Sequence, residues 1–217
     1  MHPRDRYPAG THEAGHDALL LHETRHRFAN ELAATLASLH LAKARGADGE
    51  LVDDAIERVD AQARLLRLLV EPRPAACDVV ESLLELSHLL LRSRRSDRRT
   101  TIRVSAVRVV VPGEVAEVVL TIVNELLTNA LKQVEAGRIG VRVRLRADAL
   151  RVVVENECRD AEATSPVRGV GTTAVRMIAE QHGARLVFGI GKGRFRATLL
   201  WPVRPYEVED DPEDLPF

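Results

Sequence analysis

The feature that most limits what this chain can fold into is a pair of apolar stripes before residue 72, split by a glycine break and closed by prolines. From about 12 to 45 the sequence is nearly free of Gly and Pro after Gly15. Leu21, Phe28, Leu32, Leu36 and Leu39 recur there at steps of three, four and seven, which is a helical period. Gly46-Ala47-Asp48-Gly49 interrupts the pattern. A second stripe follows at Val52, Ala55, Val59, Ala63, Leu66 and Leu69 and stops at Pro72 and Pro74. The spacing predicts an N-terminal antiparallel helical hairpin. Two helices alone bury too little apolar surface to be stable, and a second copy of the chain would complete a four-helix bundle. A homodimer is therefore expected, against the plainer alternative that the hairpin packs on the rest of its own chain.

Past the prolines the pattern changes. A helix is expected near 78–92, then an Arg-rich turn from Arg92 to Arg99, a strand near 101–105, a helix from about 113 to 135, and strands near 138–146 and 150–156. A loop to about 168, a helix to 182 and strands near 185–190 and 194–201 complete the series. Strands mixed with helices and joined by turns such as Ala147-Asp148-Ala149 make an α+β fold, a hairpin followed by an α/β sandwich. The expected domains are 1–74, 75–204 and an acidic, proline-punctuated tail over 205–217 that carries Glu207 to Asp214. No internal repeat is present.

A formal net charge of −1 with 29% charged residues gives no reason to expect a coat for nucleic acid or an anionic membrane, and the charges read as solubility and local pairing. An aromatic content of 3% also disfavours stacking of single-stranded bases, so no nucleic-acid partner is expected. Cys77 and Cys158 stand alone, outside any metal or disulfide spacing, which fits a reducing cytoplasm. The first residues lack the apolar stretch of a signal peptide, and the leucine-rich run at 83–91 contains Glu85 and His88 and is short for a bilayer, so no membrane insertion is expected.

Two places carry chemistry. On the first helix Phe28 belongs to the apolar stripe, so His26, about 200° away around the axis, faces outward, where an imidazole can attack phosphorus. Arg25 and Arg27 flank it to hold a phosphate or an acidic surface, and Asn30 lies one turn on to hydrogen-bond beside it. A competing pattern, His12-Glu13-Ala14-Gly15-His16, fits the zinc-protease spacing, but it contains a glycine and no strands precede it to build a cleft. In the later helix, Glu125 and Asn129 sit i, i+4 on one face, a spacing that can hold a hydrated Mg²⁺ and orient a water. Gly169-Val170-Gly171 before the helix Thr172–His182 lets backbone amides approach a phosphate.

The segment Arg25-His26-Arg27-Phe28-Ala29-Asn30 resembles the His-Arg-x-x-Asn phosphoacceptor box of certain two-component histidine kinases. The segment Asn124-Glu125-Leu126-Leu127-Thr128-Asn129-Ala130-Leu131-Lys132 resembles the first nucleotide box of the ATPase superfamily shared by gyrase, Hsp90, histidine kinases and MutL. The resemblance spans roughly residues 15–203 and implies a dimerisation and phosphotransfer hairpin followed by a histidine-kinase-type ATPase domain. It implies that His26 is the phosphorylated residue, with His22 as fallback, that Asn129 binds Mg²⁺ supported by Glu125, and that Asn124 and Lys132 belong to the same box, with Lys132 near the phosphates. Gly169 and Gly171 would form a further phosphate-approaching segment. The sequence departs from the family where an Asp-x-Gly-x-Gly box should follow Val152-Val153-Val154. Glu155-Asn156-Glu157-Cys158-Arg159 stands there, with Asn156 left as a hydrogen-bonding substitute for the adenine-binding aspartate.

Three functions follow from the resemblance. One is a histidine phosphotransferase that exchanges a phosphoryl group between His26 and aspartates of response-regulator receiver domains, its kinase-like domain degenerate. The second is a sensorless ATP-dependent histidine autokinase. The third is a non-catalytic binding protein of anti-sigma-factor type, in which His26 is dispensable.

Overall fold

The computed structural model describes residues 32–33, 35–46, 48–94, 100–133, 137–146, 149–157, 170–191 and 193–202. The chain divides into two compact units, Met1–Glu71 and Pro72–Phe217.

In the first unit, helical residues 35–44 (α1) end in a turn at Gly46, whose φ of 84° is one that a side chain would oppose. Helix α2, Gly49–Val70, follows, capped by the Asp48 carboxylate, which accepts from the Glu50 N–H at 3.2 Å. Lys43 of α1 pairs with Asp53 of α2. Ala61, Ala63 and Leu68 are buried, but Val52, Ala55, Val59, Leu66 and Leu69 of the apolar stripe are only half-buried.

The second unit is α+β. Its main sheet has five strands in the order β2 (Thr100–Ser105), β4 (Gly137–Arg146), β5 (Ala149–Glu157), β7 (Arg194–Pro202) and β6 (Arg185–Gly191). β2 and β4 are parallel, joined through helix α4 (Gly113–Gln133); the other neighbours are antiparallel. Alternation of side chains sorts the strands into two faces. Ile139, Val141 and Val143 of β4, Leu150, Val152 and Val154 of β5, and Ala197, Leu199 and Trp201 of β7 are buried on one face. Three helices supply the other half of that core, with α3 (Val79–Ser93) packed on β2, α4 on β4 and β5, and α5 (Val170–Gln181) on β6. Leu83 and Leu86 of α3, and Leu120, Ile122 and Leu127 of α4, are fully enclosed.

Two three-residue strands, β1 (Ala76–Asp78) and β3 (Val110–Pro112), form a separate antiparallel pair that the sequence pattern did not announce. Three residues are too few to display a period of two, and their pairing is set by long-range register, Cys77 opposite Val111. The pair brings the start of the unit against the start of α4. The Gly113 N–H donates to the Ala75 carbonyl at 3.1 Å, and the Arg73 N–H donates to the Glu117 carboxylate at 2.9 Å. A Cβ at Gly113 would stand 2.3 Å from the Pro74 carbonyl oxygen, so only glycine fits this contact. Asp78 then caps α3, its carboxylate accepting from the Val80 N–H at 3.0 Å. At the end of α5, Gly183 takes φ 70° and the Ala184 N–H returns to the Ala179 carbonyl at 2.8 Å, closing the helix in a left-handed cap.

Candidate functional site

Helix α4 begins as a nearly continuous apolar run because it lies between the sheet and its neighbouring helices. Its buried side, Leu120, Val123, Leu127 and Ala130, anchors it and fixes what the rest of the helix presents. Asn124, Glu125, Thr128 and Asn129 are half-buried beside that anchor, and Lys132 is exposed in the last turn. The i, i+4 pairing expected for Glu125 and Asn129 is present: the Asn129 amide donates to the Glu125 carboxylate at 3.0 Å. With its NH₂ held by Glu125, Asn129 keeps its carbonyl oxygen, a hard ligand of the sort Mg²⁺ accepts.

Asn156 lies near the end of β5. The inward parity of Leu150, Val152 and Val154 carries it to the helix-facing side, where it is only 2% exposed. Its amide donates to the Glu157 carbonyl at 2.9 Å, which fixes the side-chain orientation. Its carbonyl oxygen is buried without a hydrogen-bond partner, and so is that of Asn124. A buried acceptor left unmade costs about 1–3 kcal/mol, so both positions suit an incoming donor. An adenine exocyclic amine is such a donor for Asn156. In this respect the residues present fit a nucleotide better than the absent Asp-x-Gly-x-Gly box implies.

β5 continues in regular pairing through this region, with Asn156 opposite Ile139 on one side and Phe195 on the other, and Glu157 opposite Arg194. The ladder runs as far as Glu157, and Cys158 and Asp160, where the glycines of that box would fall with Asn156 in place of its aspartate, lie outside the described residues. Helix α5 starts at Val170, so Gly171 sits in its first turn rather than in a loop preceding the helix at Thr172. Amides of a first turn are free to meet a phosphate in either assignment. Among the described residues there is no cluster of three or more His, Cys, Asp or Glu able to hold a metal, and no helix long and apolar enough to cross a membrane. His26, Arg27, Asn30 and Gly169, together with His22, Cys158 and the His12–His16 pattern, lie outside the described residues.

Sequence reasoning overlooked Glu155, on the opposite face of β5. Its side chain is 15% exposed and gathers Arg142 at 2.8 Å and Arg196 at 3.1 Å, with Arg194 at 4.0 Å. The recurrence of arginine at 142, 144 and 146, every second residue, was the available signal. The local pairing expected of the charges is present here, on a sheet face where arginines gather.

A scan against protein-family models finds no match, and a search of curated proteins finds none either. Solved structures do match by fold. The histidine kinase domain of the Erythrobacter litoralis EL346 blue-light activated histidine kinase aligns over 82% of this chain and 94% of its own, at 21% identity and a TM-score of 0.55. A fuller structure of that kinase aligns over 67% of this chain and 54% of its own, at 23% identity and a TM-score of 0.54. A bacterial phosphotransferase aligns over 89% of this chain and 98% of its own, at 12% identity and a TM-score of 0.59. The five-stranded sheet with its covering helices is thus a histidine-kinase-like fold.

Proposed function

We propose that this chain is a two-component phosphotransfer protein that carries a phosphoryl group on His26 and exchanges it with receiver-domain aspartates. The observation that carries the reading is Asn156 near the end of β5, where an ATP-binding kinase of this type has aspartate, in a fold otherwise of histidine-kinase type. With no aspartate at that position, the kinase-like domain is read as one suited to docking. The half-buried apolar stripe of α2 supports completion of the hairpin by a second copy, as a four-helix bundle.

In the reaction, a neutral imidazole nitrogen of His26 attacks the phosphorus of an aspartyl phosphate in line. The P–N bond forms as the P–O bond to the carboxylate breaks, and the carboxylate leaves with the electron pair. The reverse step returns the phosphoryl group to a second aspartate, with Mg²⁺ supplied by the receiver. Near pH 7 an ordinary imidazole is largely unprotonated, which suits it to this role. Arg27 attracts the incoming phosphate and Asn30 hydrogen-bonds beside the imidazole.

A second reading, an ATP-dependent autokinase, is favoured by the orphaned carbonyl oxygens of Asn124 and Asn156 and by the Glu125–Asn129 pair. In that case Asn156 would accept from the adenine amine, Asn129 with Glu125 would hold Mg²⁺, and Lys132 and the amides near Gly169 and Gly171 would face the phosphates. The bound nucleotide would supply the phosphoryl group.

The test is to offer wild type and the His26→Gln variant two labelled donors in turn, a phosphorylated receiver domain and γ-labelled ATP with Mg²⁺. Acid-labile, alkali-stable label on wild type from the receiver alone is the expected result. Label from ATP would establish the second reading. Wild type that takes label from neither donor refutes both.

A further inference from the structure

The outer face of the five-stranded sheet is strongly and unevenly charged. Among the described residues, Arg138, Arg142, Arg144, Arg151, Arg194 and Arg196 share it with two carboxylates, Glu155 and Glu157. Glu155 is engaged by three of these arginines. Arg144 and Arg151 have no ion pair among the described residues, and they stand directly opposite one another in the β4–β5 register. Like charges in directly opposed cross-strand positions are destabilising. Between them, Arg142, Arg196 and Val153 lies a depression of about 250 Å³. Glu155 offsets Arg142 and Arg196, so the positive charge left around the hollow is chiefly that of Arg144 and Arg151, which repel one another unless an anion is seated there.

The same chain contains a matching anion. Residues 207–214, Glu207-Val208-Glu209-Asp210-Asp211-Pro212-Glu213-Asp214, hold six carboxylates and no base. Four residues separate the segment from β7, which ends at Pro202, and Leu200 lies opposite Arg151 on the outer face. From Pro202 the Arg151 position is about 8 Å away and Arg144 about 12 Å, at a rise of about 3.3 Å per residue and a strand spacing of about 4.8 Å. Five residues of extended chain, from Pro202 to Glu207, reach about 17 Å. That length exceeds both distances, so a carboxylate at position 207 is within reach of the hollow.

We propose that the acidic segment 207–214 docks in cis on the arginine face of its own sheet, seating carboxylates between Arg144 and Arg151. Tethering supplies the affinity, since a short linker raises the effective concentration of the segment to the millimolar range. While docked, the segment shields this face from other polyanions.

The test uses the full chain and a fluorescein-labelled synthetic peptide of residues 205–216, titrated by anisotropy at an ionic strength of about 20 mM, where charge pairing is least screened. One variant neutralises the segment in place, with Glu207→Gln, Glu209→Gln, Asp210→Asn, Asp211→Asn, Glu213→Gln and Asp214→Asn. These changes lie beyond β7 and leave the core untouched. The neutralised variant is expected to bind the peptide at least about tenfold more tightly than wild type, because its face is vacated. Adding Arg144→Gln and Arg151→Gln is expected to remove that gain, with circular dichroism confirming the fold. Equal peptide binding by wild type and the neutralised variant, including no binding by either, overturns the proposal, and so does a gain that survives the arginine substitutions. A single-stranded RNA oligomer that binds wild type as tightly as the neutralised variant would also overturn it, marking the face as an open nucleic-acid surface.

Discussion

Replacing Glu155 with glutamine tests the electrostatics of the sheet at its centre. The Glu155 Oε2 accepts from Arg142 at 2.8 Å and from both Nε and a terminal nitrogen of Arg196 at 3.2 and 3.1 Å. Glutamine keeps the shape but removes the charge, and its NH₂ would face guanidinium donors. A hydrogen bond to a charged group is worth about 1.5–3 kcal/mol when well shielded. Here the partners are 45% and 54% exposed, so screening reduces each contribution to the range of surface pairs, about 0.2–1 kcal/mol. Three such bonds, and the loss of a counter-charge for Arg194, give an expected destabilisation of about 1–2 kcal/mol at low ionic strength. Urea unfolding of wild type and Glu155→Gln should show this difference with unchanged slope, shrinking to less than about half in 1 M salt, where the Debye length is about 3 Å. A variant as stable as wild type at low salt, or a loss that does not respond to salt, would refute the view of Glu155 as the neutralising centre of the arginine face.

Two further substitutions probe the frame that positions the site. Gly113→Ala should destabilise by about 2 kcal/mol or more despite alanine's higher helix propensity, because its Cβ would meet the Pro74 carbonyl at 2.3 Å; a raised unfolding midpoint would contradict that contact. Leu127→Ala removes a fully enclosed side chain from the buried side of α4 and is expected to cost about 2–5 kcal/mol, read as a fall in melting temperature measured by circular dichroism.

Much of this architecture is visible in the sequence because local signals and burial agree. The apolar run before Asn124 and the i, i+4 spacing of Glu125 and Asn129 put both on one side of a helix, and the 3.0 Å hydrogen bond between them follows from that spacing. The long strands are legible because one face is covered and the other open, so Val141, Arg142, Val143 and Arg144 alternate. Counting that period forward from Val152 and Val154 would also have placed Asn156 inside. What escapes the sequence is whatever depends on register between distant segments. β1 and β3 exist through their mutual pairing, and the hollow between Arg144 and Arg151 exists because Arg144 meets Arg151 and Glu155 meets Arg196. A one-residue slip of either strand would scatter these arginines to opposite faces. The alternation of Arg142, Arg144 and Arg146 marks one strand's share of the cluster but not its partners on β5 and β7, and a net charge of −1 conceals the whole.

The central claim is that phosphate resides on His26, and its most direct measurement is the position of the phosphoryl group after transfer. Wild-type chain charged by a phosphorylated receiver domain would be digested at alkaline pH, where phosphoimidazole survives, and sequenced by tandem mass spectrometry beside the His26→Gln variant. Phosphate on the peptide at His26, absent from the variant, is the expected result. Phosphate on His22 or on another residue, or undiminished phosphate in the variant, would contradict the assignment.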